Sequence, residues 1–419
     1  MEFGRHLATT QIGAPAIGFT AVKRLLVARS LRDFGDGFVA LILPVYLTAL
    51  GLSPLEVGLV ASAALLGSAL LTFCIGFLEA RYGYRQLCLA VAGLMIATGV
   101  AFSLVDDFAV FLIVAFAGTV NPSTGSFSLF MPLEHAMLAR EVSSAERTRT
   151  FASYSFIGAL AGALGALAAA TPDLLTQVGL GQIAALKAMF VVYALLGLGG
   201  ALVYARIPAP RPRFSQDRFS REQPVAALGP SRHLVYKLAA LFCLDAFASG
   251  FVVQSLLALW LFVRFDMSLT TAALFFSWSG ILSAFSFPVA ASLSRRIGLI
   301  NTMVFTQIPS SIFLILAAFA PTLSIALILL LLRAAVAQMD VPIRSSYVMA
   351  IVTERERTAA ASFTIVPRSL AASASPALAG ALLAASFRGW PLVICGVLKI
   401  VYDVLLLLQF RRVKPPEER

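Results

Sequence analysis

From Pro132 to Thr148 the chain reads PLEHAMLAREVSSAERT, and from Pro342 to Thr358 it reads PIRSSYVMAIVTERERT. A constant offset of 210 places Pro132 on Pro342, Glu146 on Glu356, Arg147 on Arg357 and Thr148 on Thr358. Each copy starts at a proline late in an apolar run, ends at Glu-Arg-Thr and gives way to another apolar run. One matched position changes sign, because Glu134 falls on Arg344. The surroundings repeat as well. Gly37-Phe38-Val39 recurs as Gly250-Phe251-Val252, and Arg81-Tyr82-Gly83 as Arg296-Ile297-Gly298, at offsets of 213 and 215. The chain reads as a tandem duplication of one hydrophobic multi-helix unit.

Composition fixes the medium. Of 419 residues, 59% are hydrophobic and 13% charged, against about 25% charged in ordinary soluble domains. The mean hydropathy is +0.88. A net charge of +11 would suit nucleic acid, but the basic residues recur at every second loop instead of clustering on one face. Nucleic acid is therefore excluded as a partner. Cys74, Cys88, Cys243 and Cys395 lie in apolar segments without metal-ligand spacing and read as reduced core thiols, and no cofactor is implied.

A spanning helix needs roughly 20 apolar residues, and twelve stretches qualify. They are 24–50, 56–78, 86–104, 108–139, 150–170 and 184–206 in the first half. The second half supplies 234–262, 271–293, 302–319, 323–351, 359–384 and 391–410. The organisation expected is a bundle with its tail over 1–206, a polar linker over 207–233 and a second bundle over 234–419. With the N-terminus inside, cytoplasmic tails, loops and helix ends hold 23 of the 32 basic residues. The other face holds Lys187, Arg264 and Arg388 only. This bias predicts both termini in the cytoplasm and a multi-pass protein of the inner (cytoplasmic) membrane.

Twelve helices in two similar halves around a basic central loop resemble the major facilitator superfamily over nearly the whole chain. The loop GFLEARYGYR is similar to that family's GxLADRxGRR after helix 2, with Gly76, Leu78, Arg81, Gly83 and Arg85 matching. Ala80 replaces the usual Asp, with Glu79 one residue early. The resemblance implies an all-α membrane protein of two pseudo-symmetric six-helix bundles. It also implies that Arg147 and Arg357 belong to a cytoplasmic charge relay with this loop. In helix 11, SPALAG (Ser375 to Gly380) is similar to the Gly-Pro signature that exporters carry in helix 5, although close contact between helices is the better account of such small residues. The exporters' intramembrane Arg of helix 4 has no counterpart before Gly118.

Charges inside a membrane cost at least about 2.5–3.5 kcal/mol each, so each needs a partner or a task. Arg29–Asp33, Arg32–Asp36, Asp340–Arg344 and Lys399–Asp403 are spaced four apart and can each pair on one helix face. Glu134, Asp245, Arg333 and Arg368 are left without a local partner. In the family resembled here, helices 1, 4, 7 and 10 line the cavity, with a contribution from helix 11. Candidate substrate-binding residues are accordingly Arg333, Arg368 and Asp245, with Asn121 and Gln338 as polar lining. Asp36, some 12 residues into helix 1 and so about 18 Å deep by helical rise, is the first candidate for proton coupling, with Asp33 as its rival. Glu134 and Arg344, at equivalent positions, suggest an intracellular gate for which Asp340 competes.

These features predict a secondary active transporter working by alternating access, with protons as coupling ion, a small molecule as substrate and a monomer in the bilayer. Efflux of a drug or metabolite is the leading expectation. Transport of a small organic anion on the intramembrane arginines is the alternative, and a non-transporting sensor on the same fold is another. No Walker loop is present for ATP. Histidines at 6, 135 and 233 form no converging cluster, so an enzyme is not expected.

Overall fold

The computed structural model describes residues 16–78, 81–123, 128–142, 144–207, 232–351 and 357–411. The tail before Ala16, most of the linker, and Glu79 and Ala80 of the loop motif lie outside them. The first half contains α1 (Ala16–Ala49), α2 (Pro54–Leu78), α3 (Tyr84–Leu104), α4 (Phe108–Ala117), α5 (Phe130–Glu141), α6 (Ser144–Ala168), α7 (Thr171–Gln177) and α8 (Gln182–Ala205). The second contains α9 (Arg232–Gly250), α10 (Gln254–Phe265), α11 (Leu269–Ile297), α12 (Leu299–Ala318), α13 (Leu323–Ala337), α14 (Asp340–Ile351), α15 (Arg357–Leu383) and α16 (Trp390–Phe410).

These helices make the twelve expected spans: three spans are each built from two helices in line, and the short α7 continues span 5 after α6. Span 4 is α4 with α5, span 7 is α9 with α10, and span 10 is α13 with α14. Among the described residues, eight spans are long and apolar enough to cross a membrane by length and composition. The other four are α1, α4–α5, α13–α14 and α15, and they carry most of the buried charge. Breaks in spans 4 and 10 leave backbone groups free, and such interruptions are tolerated at membrane depth only where protein or a polar cavity receives them. Asn121 lies in the first break and Gln338 caps α13 at the second.

The apolar core is not evenly shared. One cluster joins both halves on the side away from the chain termini, where Phe38, Ile42 and Tyr46 of α1 share a core with Leu257, Trp260 and Phe275. Toward the termini the core splits in two. Leu25, Cys88, Leu133 and Tyr154 belong to one cluster, and Val235, Val304, Tyr347 and Leu406 to another, with no residue from the opposite half in either. Hydrogen bonds between halves follow the same division. Among the described residues they run from Ser255 N–H to the Pro122 carbonyl (3.1 Å), from Thr270 to Asp173 and from Ala377 N–H to Ser62 (2.9 Å). The structure is closed on the far side and parted on the terminus side.

Close helix approach holds the far side shut. A Cβ added to Gly58 of α2 would lie 2.5 Å from the Pro376 carbonyl oxygen and 3.1 Å from the Cα of Gly380 on α15. Small residues of the SPALAG run thus let two helices from opposite halves touch. G380A should weaken this closure by about 1–3 kcal/mol, the usual cost of overpacking. Spin labels at Y82C and I297C, on the equivalent terminus-side loops, should then report a shorter distance as the population shifts; an unchanged distance would count against the contact as a latch.

Charges on the far side serve local structure. Lys187 bridges Asp106 at 2.7 Å, and this hydrogen bond holds the Asp106 carboxyl below its usual range. Arg388 donates to the Val263 carbonyl at 2.6 Å near the end of α10.

Candidate functional site

Buried charge gathers in two groups, one in each half, on the parted side. In the first half the centre is Glu134, which is fully buried on α5. Arg32 of α1 donates to it at 2.8 Å, Tyr204 of α8 donates at 2.5 Å, and Tyr154 of α6 donates to the same carboxylate. Asp33 takes Arg29 at 3.0 Å and Arg32 at 3.1 Å. Two rings complete the setting: the Arg29 guanidinium lies 4.1 Å from the centre of Tyr154, and that of Arg32 lies 4.9 Å from the centre of Phe130. Four helices therefore meet on one ion cluster.

In the second half the centre is Asp245 of α9. Lys399 of α16 donates to it at 2.7 Å, and Arg344 of α14 approaches its other oxygen at 3.0 Å without hydrogen-bond alignment. Arg344 also donates to Asp340 and lies 5.4 Å from the ring centre of Phe242. Arg368 is half-buried and near enough to Arg344, Asp245 and Tyr402 to interact with their charges. It lies on the same face of α15 as Ala372 and Ser375, which pack on Gly250 of α9. No acid lies within 4 Å of Arg368 among the described residues, and its Nε is buried without a partner.

The repeat relates these two groups. Asp245 stands 213 residues after Arg32, the offset that matches Gly37 to Gly250, and Arg344 stands 210 after Glu134. The bridge Arg32–Glu134 and the bridge Arg344–Asp245 therefore occupy equivalent places with their charges inverted. What is a cation on span 1 is an anion on span 7, and what is an anion on span 4 is a cation on span 10.

Several expectations need correcting. Arg32 does not pair with Asp36, nor Lys399 with Asp403; both cations turn to an acid on a neighbouring helix. Spacing by four puts two charges on one face, but packing brings Glu134 to Arg32 at 2.8 Å and Asp245 to Lys399 at 2.7 Å from other helices. Glu134 and Asp245, expected without a local partner, are both ion-paired to cations on other helices. Glu134 and Arg344, whose contact is expected only when the cytoplasmic side closes, each engage their own half here. Arg333 is also apart from the rest, half-buried on α13 toward Cys395 of α16, with no acid within 4 Å among the described residues.

Asp36 faces a small pocket with Arg32, Ser68, Thr119, Asn121 and Tyr193. Tyr193 of α8 donates to it at 3.3 Å, and no cation lies within 4 Å among the described residues. Asn121 accepts from Ser123 N–H at 2.9 Å while its Nδ2 is buried without a partner. Gln338 is half-buried at its break. His135, beside Glu134, packs edge-on against Phe151 and Tyr154. Tyr154, Tyr193 and Tyr204 were not singled out by the sequence, because nothing in a local pattern distinguishes a tyrosine that serves a carboxylate on another helix.

The loop motif is only partly visible. Arg85 donates to the Ala205 carbonyl at 2.7 Å and Arg24 to the Arg206 carbonyl at 2.5 Å, so both tie down the C-terminal end of α8, where cations are favoured. Gly83 begins α3 in extended conformation, Arg81 stacks loosely on Tyr82, and a side chain at Gly76 would meet open space. Arg147 and Arg357 lie in α6 and at the start of α15, but their side chains are outside the described residues.

Two six-helix bundles that meet on one side, part on the other and hold unpaired polar groups near the middle define a membrane transport protein. Comparison agrees: a profile of the Major Facilitator Superfamily matches residues 25–332 and 246–419, and the chain belongs to that family. It is a secondary transporter by family, not an enzyme. A Saccharomyces cerevisiae protein, the uncharacterized membrane protein YJR124C, is 23% identical over 420 residues, covering 93% of this chain and 94% of that one. Among solved structures, a bacterial homologue of the human lysosomal transporter Spinster, inward-facing and unoccupied, has a TM-score of 0.73 at 16% identity, over 95% of this chain and 98% of its own. The xylose transporter XylE from E. coli, inward open, has a TM-score of 0.74 at 14% identity over 95% and 98%. A D-xylose-proton symporter has 0.73 at 14% over 93% and 97%.

Proposed function

We propose that the protein is a proton-coupled transporter of the cytoplasmic membrane, working as a monomer, with both termini in the cytoplasm and the parted side open to it. The observation that carries this reading is the pair of sign-inverted bridges on that side. When the halves rock together, spans 1 and 7 and spans 4 and 10 bring opposite charges face to face. Glu134 then meets Arg344 and Arg32 meets Asp245, so each bridge within a half is traded for one between halves. Exchange of equals costs little, which suits a gate that opens and closes repeatedly. The unaligned Arg344–Asp245 contact is the weaker of the two bridges and breaks first, with Asp340 holding Arg344 in the open state.

Asp36 is the proton carrier in this scheme. It is buried with Tyr193 as its hydrogen-bond donor and no cation within 4 Å among the described residues, and it lines a small pocket with Thr119 and Asn121. Asp33, tied to two arginines, is the poorer candidate.

The substrate class that the geometry supports best is a small organic anion held by Arg368, with Asn121 and Gln338 in the breaks as polar lining. Arg368 is the cation of the second cluster that no described acid bridges, and a proton carried with a monoanion makes transport electroneutral. Export of a drug or metabolite drew on the SPALAG run, which the Gly58–Gly380 contact accounts for without it. Counterflow in proteoliposomes, with labelled carboxylates and labelled lipophilic cations compared under imposed pH gradients of both signs, decides between them. Exchange confined to carboxylates is the expected result; exchange of lipophilic cations alone would replace this reading with drug export.

A further inference from the structure

Five of the six buried carboxylates within the spans have a hydrogen-bond donor. Asp33 has Arg32 at 3.1 Å, Asp36 has Tyr193 at 3.3 Å, Asp245 has Lys399 at 2.7 Å, Glu134 has an arginine and two tyrosines, and Asp340 has Arg344. Asp403 of α16 has none. It is 0% exposed, and neither of its oxygens has a partner among the described residues. Its neighbour in sequence, Tyr402, buries a hydroxyl that is equally unbonded. The natural counter-ion is Lys399, one turn earlier on the same face, but its ammonium is engaged by Asp245 of α9. An ionised carboxylate without donors in such a place is far costlier than the neutral acid.

We propose that Asp403 is a second proton-binding site, filled while the terminus side is open, and that Lys399 moves between Asp245 and Asp403 to empty it. A lysine is suited to this, with a compact charge on a four-carbon stem and freely turning donors. In the open state Lys399 neutralises Asp245 and Asp403 keeps its proton. When the halves close and Arg32 takes Asp245, Lys399 is released to its i+4 neighbour. The O–H bond of Asp403 then breaks, the proton passes to water, and the unchanged Lys399 ammonium becomes the counter-ion of the new carboxylate. The gate exchange thereby drives deprotonation without any other change of bonding.

The groups facing Asp403 are few. Lys399 and Tyr402 share its helix, Asp245 comes from α9 and Arg344 from α14, and Arg368 of α15 lies nearer to Tyr402. The helix most closely packed on α16, α12, brings no titratable side chain. A neutral Asp403 also leaves this cluster with Arg344, Arg368 and Lys399 against Asp245 and Asp340, a surplus positive charge beside the proposed anion site. The inference deepens the proton-coupled reading and rests on it for purpose, though not for geometry.

Infrared difference spectroscopy on the full-length protein in phosphatidylcholine liposomes, without substrate and compared in light and heavy water, tests it. The wild type should show the isotope-sensitive carbonyl stretch of a buried protonated carboxylic acid at neutral pH. Asp36 contributes a band of its own, so D403N should lose one component and D36N should keep that component while losing the other, and a failure of Asp36 as carrier would be read separately. K399Q should keep the band to higher pH than the wild type, because the cation that expels the proton is gone. If D403N does not fold, the K399Q titration decides alone. Identical bands in D403N and wild type, or a K399Q titration that coincides with that of wild type, would overturn the proposal.

Discussion

Reversing the bridge of the first half, R32E together with E134R, is expected to leave both bundles folded and to abolish transport. Inside the half, the pair survives with its charges exchanged. Across the gate, the arginine introduced at position 134 would confront Arg344 on every attempt to close. The glutamate introduced at position 32 would likewise confront Asp245. Juxtaposed like charges cost several kcal/mol. Taking about 3 kcal/mol, the closed population falls roughly a hundredfold, and turnover falls with it. Reversing the second bridge as well, with D245R and R344D, restores opposite charges across the gate, and a measurable fraction of counterflow should return. Lys399 tolerates that change because Asp403 is one turn away. Each double variant inactive and the quadruple active is the result that an exchanging gate demands. A quadruple variant that folds but stays as dead as the doubles would remove the gate, leaving these charges as two independent structural clusters.

Asp36→Asn is the second large effect. It keeps the shape and the contact with Tyr193 but removes the proton that burial places there. Counterflow, which needs no net proton movement, should persist within a fewfold of wild type. Accumulation driven by a pH gradient should be lost altogether, and the exchange rate should no longer vary with pH through this group. Asp33→Asn instead frees Arg29 and Arg32 from a buried bridge, and breaking such a pair costs about 3–5 kcal/mol. Its signature is therefore a lower melting temperature. Gradient-driven accumulation surviving in D36N would move coupling elsewhere, with Asp403 the next place to look.

Bundle closure, bridge exchange and proton release are one argument because the same residues carry them. Arg32 serves Glu134 in the open state and is the proposed claimant of Asp245 in the closed one. Lys399 holds Asp245 until then. The far side adds the opposing bias, since every described hydrogen bond between halves and the Gly58–Gly380 contact favour the present conformation. The conformational equilibrium is thus set by apolar contact at one end and by ion pairs at the other, and substrate and protons act between them.

Much of this was legible in the chain alone. Twelve apolar stretches, their division into six and six, and the register of the duplication follow from hydropathy and spacing, because a bilayer admits few alternatives to helices of fixed length. The repeat even placed Glu134 opposite Arg344. Partner choice among the buried charges was beyond it. Spacing by four offered Arg32 to Asp36 and Lys399 to Asp403, and tertiary packing refused both by bringing Glu134 and Asp245 within reach from other helices. In a medium without water a charge takes the strongest counter-ion that packing delivers, and only the fold determines which one that is. Local periodicity fixed where each charge sits on its helix; the arrangement of the helices decided that Asp403 would be left without a counter-ion.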